Sequence, residues 1–284
     1  MREPKRSTQV FLISFCVTLV TLGTVFVLLL LIWLPLTREQ EKELPAAQPL
    51  VATEEESLSL LFISCPTVSD PPNFLAIFSY EPQRKQFSTV LLSPYLLCTS
   101  LERTDTLAGH YAYGGILGLR RAVAELTGIE TDRYLRTDQE GLCTIIDSCG
   151  GVACTITSSF SIGEEQFYPG EQQLSGRKLY ALLTQPSTDG LPDLTAQTEW
   201  VERMLPSSIE SVKHSYDSFF SMLFSSCETT VTRYDITLRQ SYFTGGTFTV
   251  CDPIAIDGEH HADIMAVYPD ESALSAAKKL LSSE

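Results

Sequence analysis

An uninterrupted apolar run near the N-terminus constrains the fold of this chain more than any other feature. Residues 10–36 read VFLISFCVTLVTLGTVFVLLLLIWLPL and contain no charged residue. A helix of about 20 apolar residues crosses the hydrocarbon core of a bilayer, whereas the apolar part of a cleaved signal peptide is usually about 7–15 residues long. The run therefore predicts one transmembrane helix that acts as a signal-anchor.

The charges beside this run predict its orientation. Three bases and one acid precede it, whereas acids outnumber bases in the segment that follows. Because basic residues collect on the cytoplasmic side of a span, residues 1–9 are predicted to be cytoplasmic and everything after residue 36 extracytoplasmic. The expected location is the cell membrane, crossed once.

The part of the chain beyond the apolar run divides into two segments. Residues 37–57 read TREQEKELPAAQPLVATEEES, a polar and acidic composition that is typical of a tether. Residues 58–284 are long enough to bury one sizeable core, so they are predicted to form a single domain.

The charge balance excludes one class of partner. The chain has 35 acidic and 20 basic residues, a net charge of −15, and three of the bases precede the apolar run. Such a surface repels nucleic acid and other polyanions, so no nucleic-acid contact is expected.

Seven of the eight cysteines lie beyond the apolar run. An oxidising compartment favours disulfides, but an odd number leaves at least one cysteine unpaired or paired between chains. Several of the seven lie within apolar runs, where a thiol packs as a small core residue. Mostly reduced, buried thiols are therefore expected. The cysteine spacing does not match a zinc site.

The pattern of the domain alternates between strands and helices. Apolar runs of strand length occur at residues 58–65, 74–80 and 87–92, and helical periodicity occurs at residues 116–126. A further helix is predicted to start at Ser207, because Ser207 and Glu210 have the spacing of a capping box. This alternation favours an α/β domain.

Three stretches in order resemble signature segments of the LytR-CpsA-Psr (LCP) family. Residues 110–115 read HYAYGG, and the helix after them ends in LTGIE. The second stretch, residues 132–152, reads DRYLRTDQEGLCTIIDSCGGV. The third, residues 167–181, reads FYPGEQQLSGRKLYA. Each motif alone is weakly specific, but their order and spacing together resemble the family across nearly the whole domain.

The resemblance implies a fold and an activity. The implied fold is a three-layer α/β/α sandwich with a mixed central sheet, here preceded by the transmembrane helix. Family members transfer a glycopolymer from a polyprenyl pyrophosphate carrier to peptidoglycan. The polyprenyl chain lies in an apolar pocket, arginines hold the phosphates and aspartates hold Mg²⁺. A polyprenyl-linked lipid and cell-wall enzymes are the partners that membership implies.

Most positions that match the family's charged residues are neutral here. The aspartate of the first motif falls on Asn73, and the arginine and aspartate after the next strand fall on Tyr95 and Leu96. The family's lysine falls near Thr106 and its paired arginines fall on Thr184 and Pro186, which are also neutral. Losing one donor to developing charge costs about 100- to 1,000-fold in rate, so these departures predict impaired catalysis.

Four residues remain as ligand-binding candidates, and no catalytic or metal-ligating residue is assigned. They are Asn73, Arg133, Arg136 and Asp147. The two arginines are three apart on a predicted strand, so at most one faces the pocket. Asp147 matches a family position, but beside two glycines it also suits a local helix-end contact. The pair His260-His261 is expected to lie exposed in a loop.

Two functions follow from different classes of protein. One is an impaired LCP-like module, a pseudoenzyme that binds or scaffolds during cell-wall polymer assembly. The other is an active phosphotransferase that uses re-sited charged residues and Mg²⁺. Clustered arginines at the pocket mouth would distinguish the second from the first.

Overall fold

A seven-stranded mixed sheet forms the centre of the molecule. The structure, a computed structural model, describes residues 57–281. Its first three strands form an antiparallel meander of β1 (Leu58–Ser64), β2 (Phe74–Glu81) and β3 (Gln86–Leu92). The side chains of these strands are buried on both faces, so the sequence reads as continuous apolar runs. The three predicted strands are confirmed to within a residue or two.

Four further strands extend this meander on both sides. They are β6 (Arg133–Thr137), β11 (Glu228–Thr229), β12 (Thr249–Val250) and β13 (Ile254–Ile256). β6 is parallel to β1, whereas β12 and β13 are parallel to β3. The order β11-β6-β1-β2-β3-β12, with β13 also on β3, confirms the predicted mixed central sheet.

Helices cover both faces of the sheet. Leu61 and Ile63 of β1 pack on one side against α1 (Leu107–Thr127) and α7 (Glu271–Leu281). Phe62 points to the other side, where a second core contains residues of four helices. These are α2 (Gln139–Ser148), α3 (Gly176–Leu183), α4 (Leu194–His214) and α5 (Tyr216–Ser226). The alternation along β1 thus separates two apolar cores.

One more helix and four short ribbons complete the fold. The helix is α6 (Arg233–Gly245), which packs against α4 and α5. The ribbons pair β4 (Leu97–Ser100) with β5 (Arg103–Thr106), β7 (Val152–Ile156) with β10 (Gly170–Leu174), β8 (Phe160–Ile162) with β9 (Glu165–Phe167), and β14 (Gly258–His261) with β15 (Ala266–Pro269).

Helix α1 is longer than its periodicity indicated. It begins after Thr106, whose hydroxyl accepts a hydrogen bond from Gly109 N at 3.0 Å. The HYAYGG segment is therefore helical, and its last glycine is the site of a kink, with Gly115 at φ 61° and ψ −153°. Only glycine adopts this backbone conformation readily.

The helix predicted to start at Ser207 begins much earlier. α4 starts after Asp193, whose carboxylate accepts from Ala196 N at 3.0 Å, and it continues through Pro206. The Ser207 hydroxyl donates to the Met204 carbonyl instead of capping a helix. The prediction was wrong because the capping-box spacing suggested a helix start, whereas the buried residues Leu205 and Ile209 on either side continue the packed face of one helix.

The predicted transmembrane anchor falls on residues that the structure does not describe. The cytoplasmic residues 1–9, the span 10–36 and most of the tether 37–57 are outside the described residues. Within residues 57–281, no helix is long and apolar enough to cross a membrane. All seven cysteines of this part are unpaired thiols, and four of them are buried.

Candidate functional site

An apolar cavity of about 260 Å³ lies beneath the second face of the sheet. It follows β2 from Phe74 to Tyr80 and is lined on the other side by helices α4, α5 and α6. Its wall is almost entirely aliphatic and aromatic. The apolar residues that line it include Leu58, Leu60, Phe62, Phe78, Phe87, Leu205, Ile209, Val212, Phe219 and Leu223. Such a space suits an apolar chain and offers nothing to a highly charged ligand.

Two charged side chains reach the wall at the end of the cavity near Leu58. Asp235 and Arg239 lie one turn apart on α6 and are both buried. Asp235 accepts from Arg133 Nε at 2.9 Å and from Arg133 Nη2 at 3.1 Å. Burial alone would raise the pKa of Asp235, but the hydrogen bonds from Arg133 and Thr232 outweigh it and lower that pKa to about 2.

A buried hydroxyl lies along the same wall. It belongs to Ser208 of α4, and its neighbour is the thiol of Cys149. Nearby Cys149 also lines the cavity, and its burial raises the pKa of its thiol. This thiol is therefore in its neutral form at physiological pH and adds no charge to the wall.

Asn73 occupies the other end of the sheet, next to the first residue of β2. Its Nδ2 donates to the Tyr180 hydroxyl at 2.7 Å, while its Oδ1 is buried and has no partner. Tyr180 comes from α3 and is itself buried. Asn73 therefore links the sheet to α3 and leaves one amide oxygen unsatisfied.

The two residues after β3 that match charged positions of the family serve the core instead. Leu96 has no exposed surface and belongs to the first core. Tyr95 packs against the same core, and its carbonyl accepts from Val267 N at 2.8 Å. A hydrated carboxylate at position 96 would be desolvated there, so this site suits leucine.

The matched positions further along the chain cap helices or shape a loop. Thr106 is the N-cap of α1, and Thr184 is the C-cap of α3, where its hydroxyl donates to the Tyr180 carbonyl at 2.8 Å. Pro186 is exposed and forms an isolated bridge with Pro192. None of these three side chains carries a charge.

The structure separates Arg136 from Arg133 by placing them on opposite faces of β6. Arg133 is on the cavity side with Asp235, whereas Arg136 donates to Glu228 at 2.8 Å and to the Val68 carbonyl. The Arg136 guanidinium also lies 6.0 Å from the centre of the Tyr111 ring on the α1 side. Each arginine is thus paired with an acid.

Asp147 makes a structural contact across two helices. Its Oδ1 accepts from the backbone N–H of Gly176 at 2.7 Å, at the first turn of α3. The four candidate residues therefore do not converge on one point. Arg133 contacts Asp235 near Leu58, Asn73 contacts Tyr180 at the opposite end of β2, and Arg136 is on the other face of the sheet.

The described residues do not fit a magnesium ion. Among them, no group of three or more His, Cys, Asp or Glu side chains could hold a metal. At the matched positions Asn73 offers one amide oxygen and the carboxylate of Asp147 accepts from Gly176 N, whereas Mg²⁺ sites normally use carboxylates.

Sequence reasoning missed two features. One is α6, although Thr232 and Asp235 have capping-box spacing and form that box in the structure. The other is His260, which is on strand β14 rather than exposed in a loop. Its Nδ1 lies 2.7 Å from Asp189 and its Nε2 lies 2.8 Å from Asp257. The partner Asp189 is distant in sequence, so no local signal indicated this contact.

These features define the class: an α/β protein with a mixed sheet covered on both faces and an apolar cavity beneath one of them. The LytR_cpsA_psr family model matches residues 98–195. This segment is a LytR-CpsA-Psr family segment, and the resemblance predicted from the sequence is confirmed.

Solved structures share the fold. TagV from B. subtilis has a TM-score of 0.65 and 18% identity, over 81% of this chain and 97% of that chain. A putative transcription regulator from Eubacterium siraeum has a TM-score of 0.69 and 15% identity, over 84% and 95%. TagT bound to LI-WTA has a TM-score of 0.65 and 16% identity, over 79% and 89%. No curated protein matches the sequence significantly.

Proposed function

We propose that this protein is a membrane-anchored, extracytoplasmic LCP-like protein of the bacterial cell envelope that binds the apolar chain of a lipid. It acts in binding or scaffolding during cell-wall polymer assembly and does not catalyse the family's transfer reaction. The observation that carries the proposal is the structural role of the residues that replace the family's charged ones. Leu96 is fully buried, and Thr106 and Thr184 cap helices.

The charge distribution supports the loss of catalysis. A pyrophosphate leaving group requires bidentate cations or a metal to offset its charge. The two candidate arginines are engaged, Arg133 by Asp235 and Arg136 by Glu228. The net charge of −15 also opposes the approach of a polyanionic substrate. The clustered arginines that a re-sited active site requires are not formed by these residues.

The cavity supports retention of lipid binding. Its wall is apolar over most of its length, and burying a hydrocarbon there gains about 25 cal/mol per Å². TagT, which has the same fold, was solved bound to LI-WTA. The predicted span at residues 10–36 would hold the domain at the bilayer that supplies such lipids.

A matched pair of variants tests lipid binding. Ser208 is half-buried on the cavity wall, so Ser208→Phe places a ring in the cavity and gives up only the contact of the hydroxyl with the Cys149 thiol. The adjacent Ser207 is exposed, and Ser207→Phe is the control. Native mass spectrometry of the full chain from bacterial membranes should find lipid on the wild type and the control, and at least about tenfold less on Ser208→Phe.

A transfer assay tests the catalytic half of the proposal. The full chain is supplied with a polyprenyl-pyrophosphate-linked glycopolymer, peptidoglycan and Mg²⁺, with an LCP transferase of established activity in parallel. We expect no product above background. Mg²⁺-dependent transfer would instead show an active enzyme with re-sited residues, and equal lipid on all three proteins of the mass experiment would show that the cavity is not the lipid site.

A further inference from the structure

Helix α6 closes one end of the cavity with a stripe of unusual composition. Asp235, Arg239 and Phe243 are spaced by four residues, so they lie on one side of the helix, and all three line the cavity. The cavity wall is otherwise aliphatic and aromatic in this region. The stripe therefore places one acid, one base and one ring at the end where β1 begins.

The two charged members of the stripe are held in place. Asp235 is bound by Arg133 and by the Thr232 hydroxyl at 2.7 Å. Arg239 donates to the Asp235 carbonyl at 2.8 Å and to the Ser57 carbonyl at 2.7 Å. A hydrocarbon that reached this network would displace bonds to buried charges and offer nothing in return. The network is therefore a barrier to an apolar chain.

Phe243 forms the apolar part of the same boundary. Its ring lies 5.7 Å from that of Tyr80 on β2 and 5.7 Å from that of Tyr216 on α5. One side chain thus joins the sheet, α5 and α6 across the end of the cavity, in edge-on and tilted contacts that favour this arrangement.

The volume in front of this boundary is small for a lipid. A cavity of about 150 Å³ takes up one benzene ring, so a volume of 260 Å³ corresponds to roughly ten carbon atoms. This length is about two isoprene units, much shorter than a polyprenyl chain.

We infer that α6 is a stop that limits the buried part of the bound chain to about ten carbon atoms, with Phe243 as the residue that determines this length. The inference rests on the proposed function, because it assumes that the cavity holds an apolar chain. The remainder of a longer chain would lie outside the cavity.

Chain-length dependence of binding tests the inference. The full chain in amphipol is titrated with prenol, geraniol, farnesol and geranylgeraniol, which contain one to four isoprene units, and followed by calorimetry. Affinity should rise about fourfold per carbon buried between prenol and geraniol, and then level off. Phe243→Ala should bind farnesol at least about tenfold more tightly than the wild type does.

Two further variants guard against trivial results. Tyr234→Ala removes an exposed ring from the same helix and should leave the profile unchanged. If the alanine variant unfolds, Phe243→Leu replaces it, because leucine keeps the helix packed. With Phe243→Leu, the affinity should level off at a longer alcohol than in the wild type, but the change should be smaller than with alanine. Affinity that keeps rising to geranylgeraniol in the wild type would overturn the inference alone. Absence of binding by every alcohol would overturn the proposed lipid binding and the inference with it.

Discussion

The carboxylate of Asp147 accepts a hydrogen bond of 2.7 Å from the backbone N–H of Gly176, which joins the end of α2 to the start of α3. Ser175 precedes α3 as its N-cap but forms no side-chain capping bond. Asp147 therefore performs the capping role from another helix. Its negative charge at this N-terminus is also favourable for the helix dipole.

Replacing Asp147 should measurably destabilise the domain. Asp147→Ala removes the acceptor and should lower the free energy of unfolding by about 0.5–2 kcal/mol, the range for a lost N-cap. Asp147→Asn keeps an oxygen and should lose less. Urea unfolding of both variants measures this, with exposed Asp263→Ala as the control. Unchanged stability together with weakened lipid binding would restore Asp147 as a ligand-binding residue.

Asp235 should make the protein sensitive to acid. Its pKa lies at about 2 instead of 3.8, so the stabilisation it provides is complete above about pH 4 and is lost as the pH falls towards 2. The shift corresponds to roughly 2 kcal/mol. Asp235→Asn should remove this part of the pH dependence and destabilise the protein at pH 7, because Arg133 loses its charged partner.

Unfolding free energies between pH 2 and pH 7 test this expectation. The exposed residue Asp252 provides the control, since Asp252→Asn should leave the pH curve unchanged. Parallel curves for the wild type and Asp235→Asn would contradict the assignment of the ion pair as the source of acid sensitivity.

His260 should give the opposite pH dependence. Burial lowers its pKa, but the carboxylates of Asp189 and Asp257 outweigh that effect, and the pKa lies above its ordinary value of 6.5. The stabilisation is therefore fully present below about pH 6.5 and is lost as the pH rises through the raised pKa. His260→Gln should abolish this alkaline loss, whereas exposed His214→Gln should not.

Nuclear magnetic resonance of the imidazole protons measures His260 directly. Its resonance should titrate above the ordinary pKa of 6.5. A midpoint for His260 at or below 6.5 would show that the two carboxylates do not hold its proton.

Adjacent glycines in α1 should respond in opposite ways to alanine. Gly115 has φ 61° and ψ −153°, a region that is costly for any residue with a Cβ, so Gly115→Ala should destabilise by about 1–3 kcal/mol. Gly114 has no positive φ, and a Cβ there meets nothing within 4 Å. Gly114→Ala should therefore stabilise by about 0.5–1 kcal/mol. Denaturant unfolding of both variants measures the contrast, and equal effects would argue against the kink.

The strands and the family were predictable, because they depend on local patterns. Apolar runs of strand length identified β1, β2 and β3, and ordered motifs identified the LCP resemblance. Residue spacing also indicates that Arg133 and Arg136 lie on opposite faces of one strand, as the structure shows. These inferences need only the period of the backbone.

The site was less predictable, because its contacts join distant residues. Arg133 meets Asp235 on a helix that was not predicted, and Asp189 meets His260 through a loop. The role of Leu96 depends on how deeply the chain buries that position, which the residue type alone does not fix. The predicted helix boundaries were wrong for a related reason. Packing continues α4 through Ser207 despite the capping spacing there, and it extends α1 through the glycines that precede Ile116.

The pairing of β3 has a consequence for how the chain folds. β12 and β13 pair with one edge of this strand. Val90 therefore lies opposite Ile254, although most of the domain sequence separates the two residues. Contacts between such distant residues slow folding, and an unpaired apolar edge invites association with other chains until they form. Residues 249–256 follow β3 late in the chain, so they are synthesised long after the strand that they cover. A chain truncated before them would retain the meander but expose the edge of β3, and aggregation would be its expected fate.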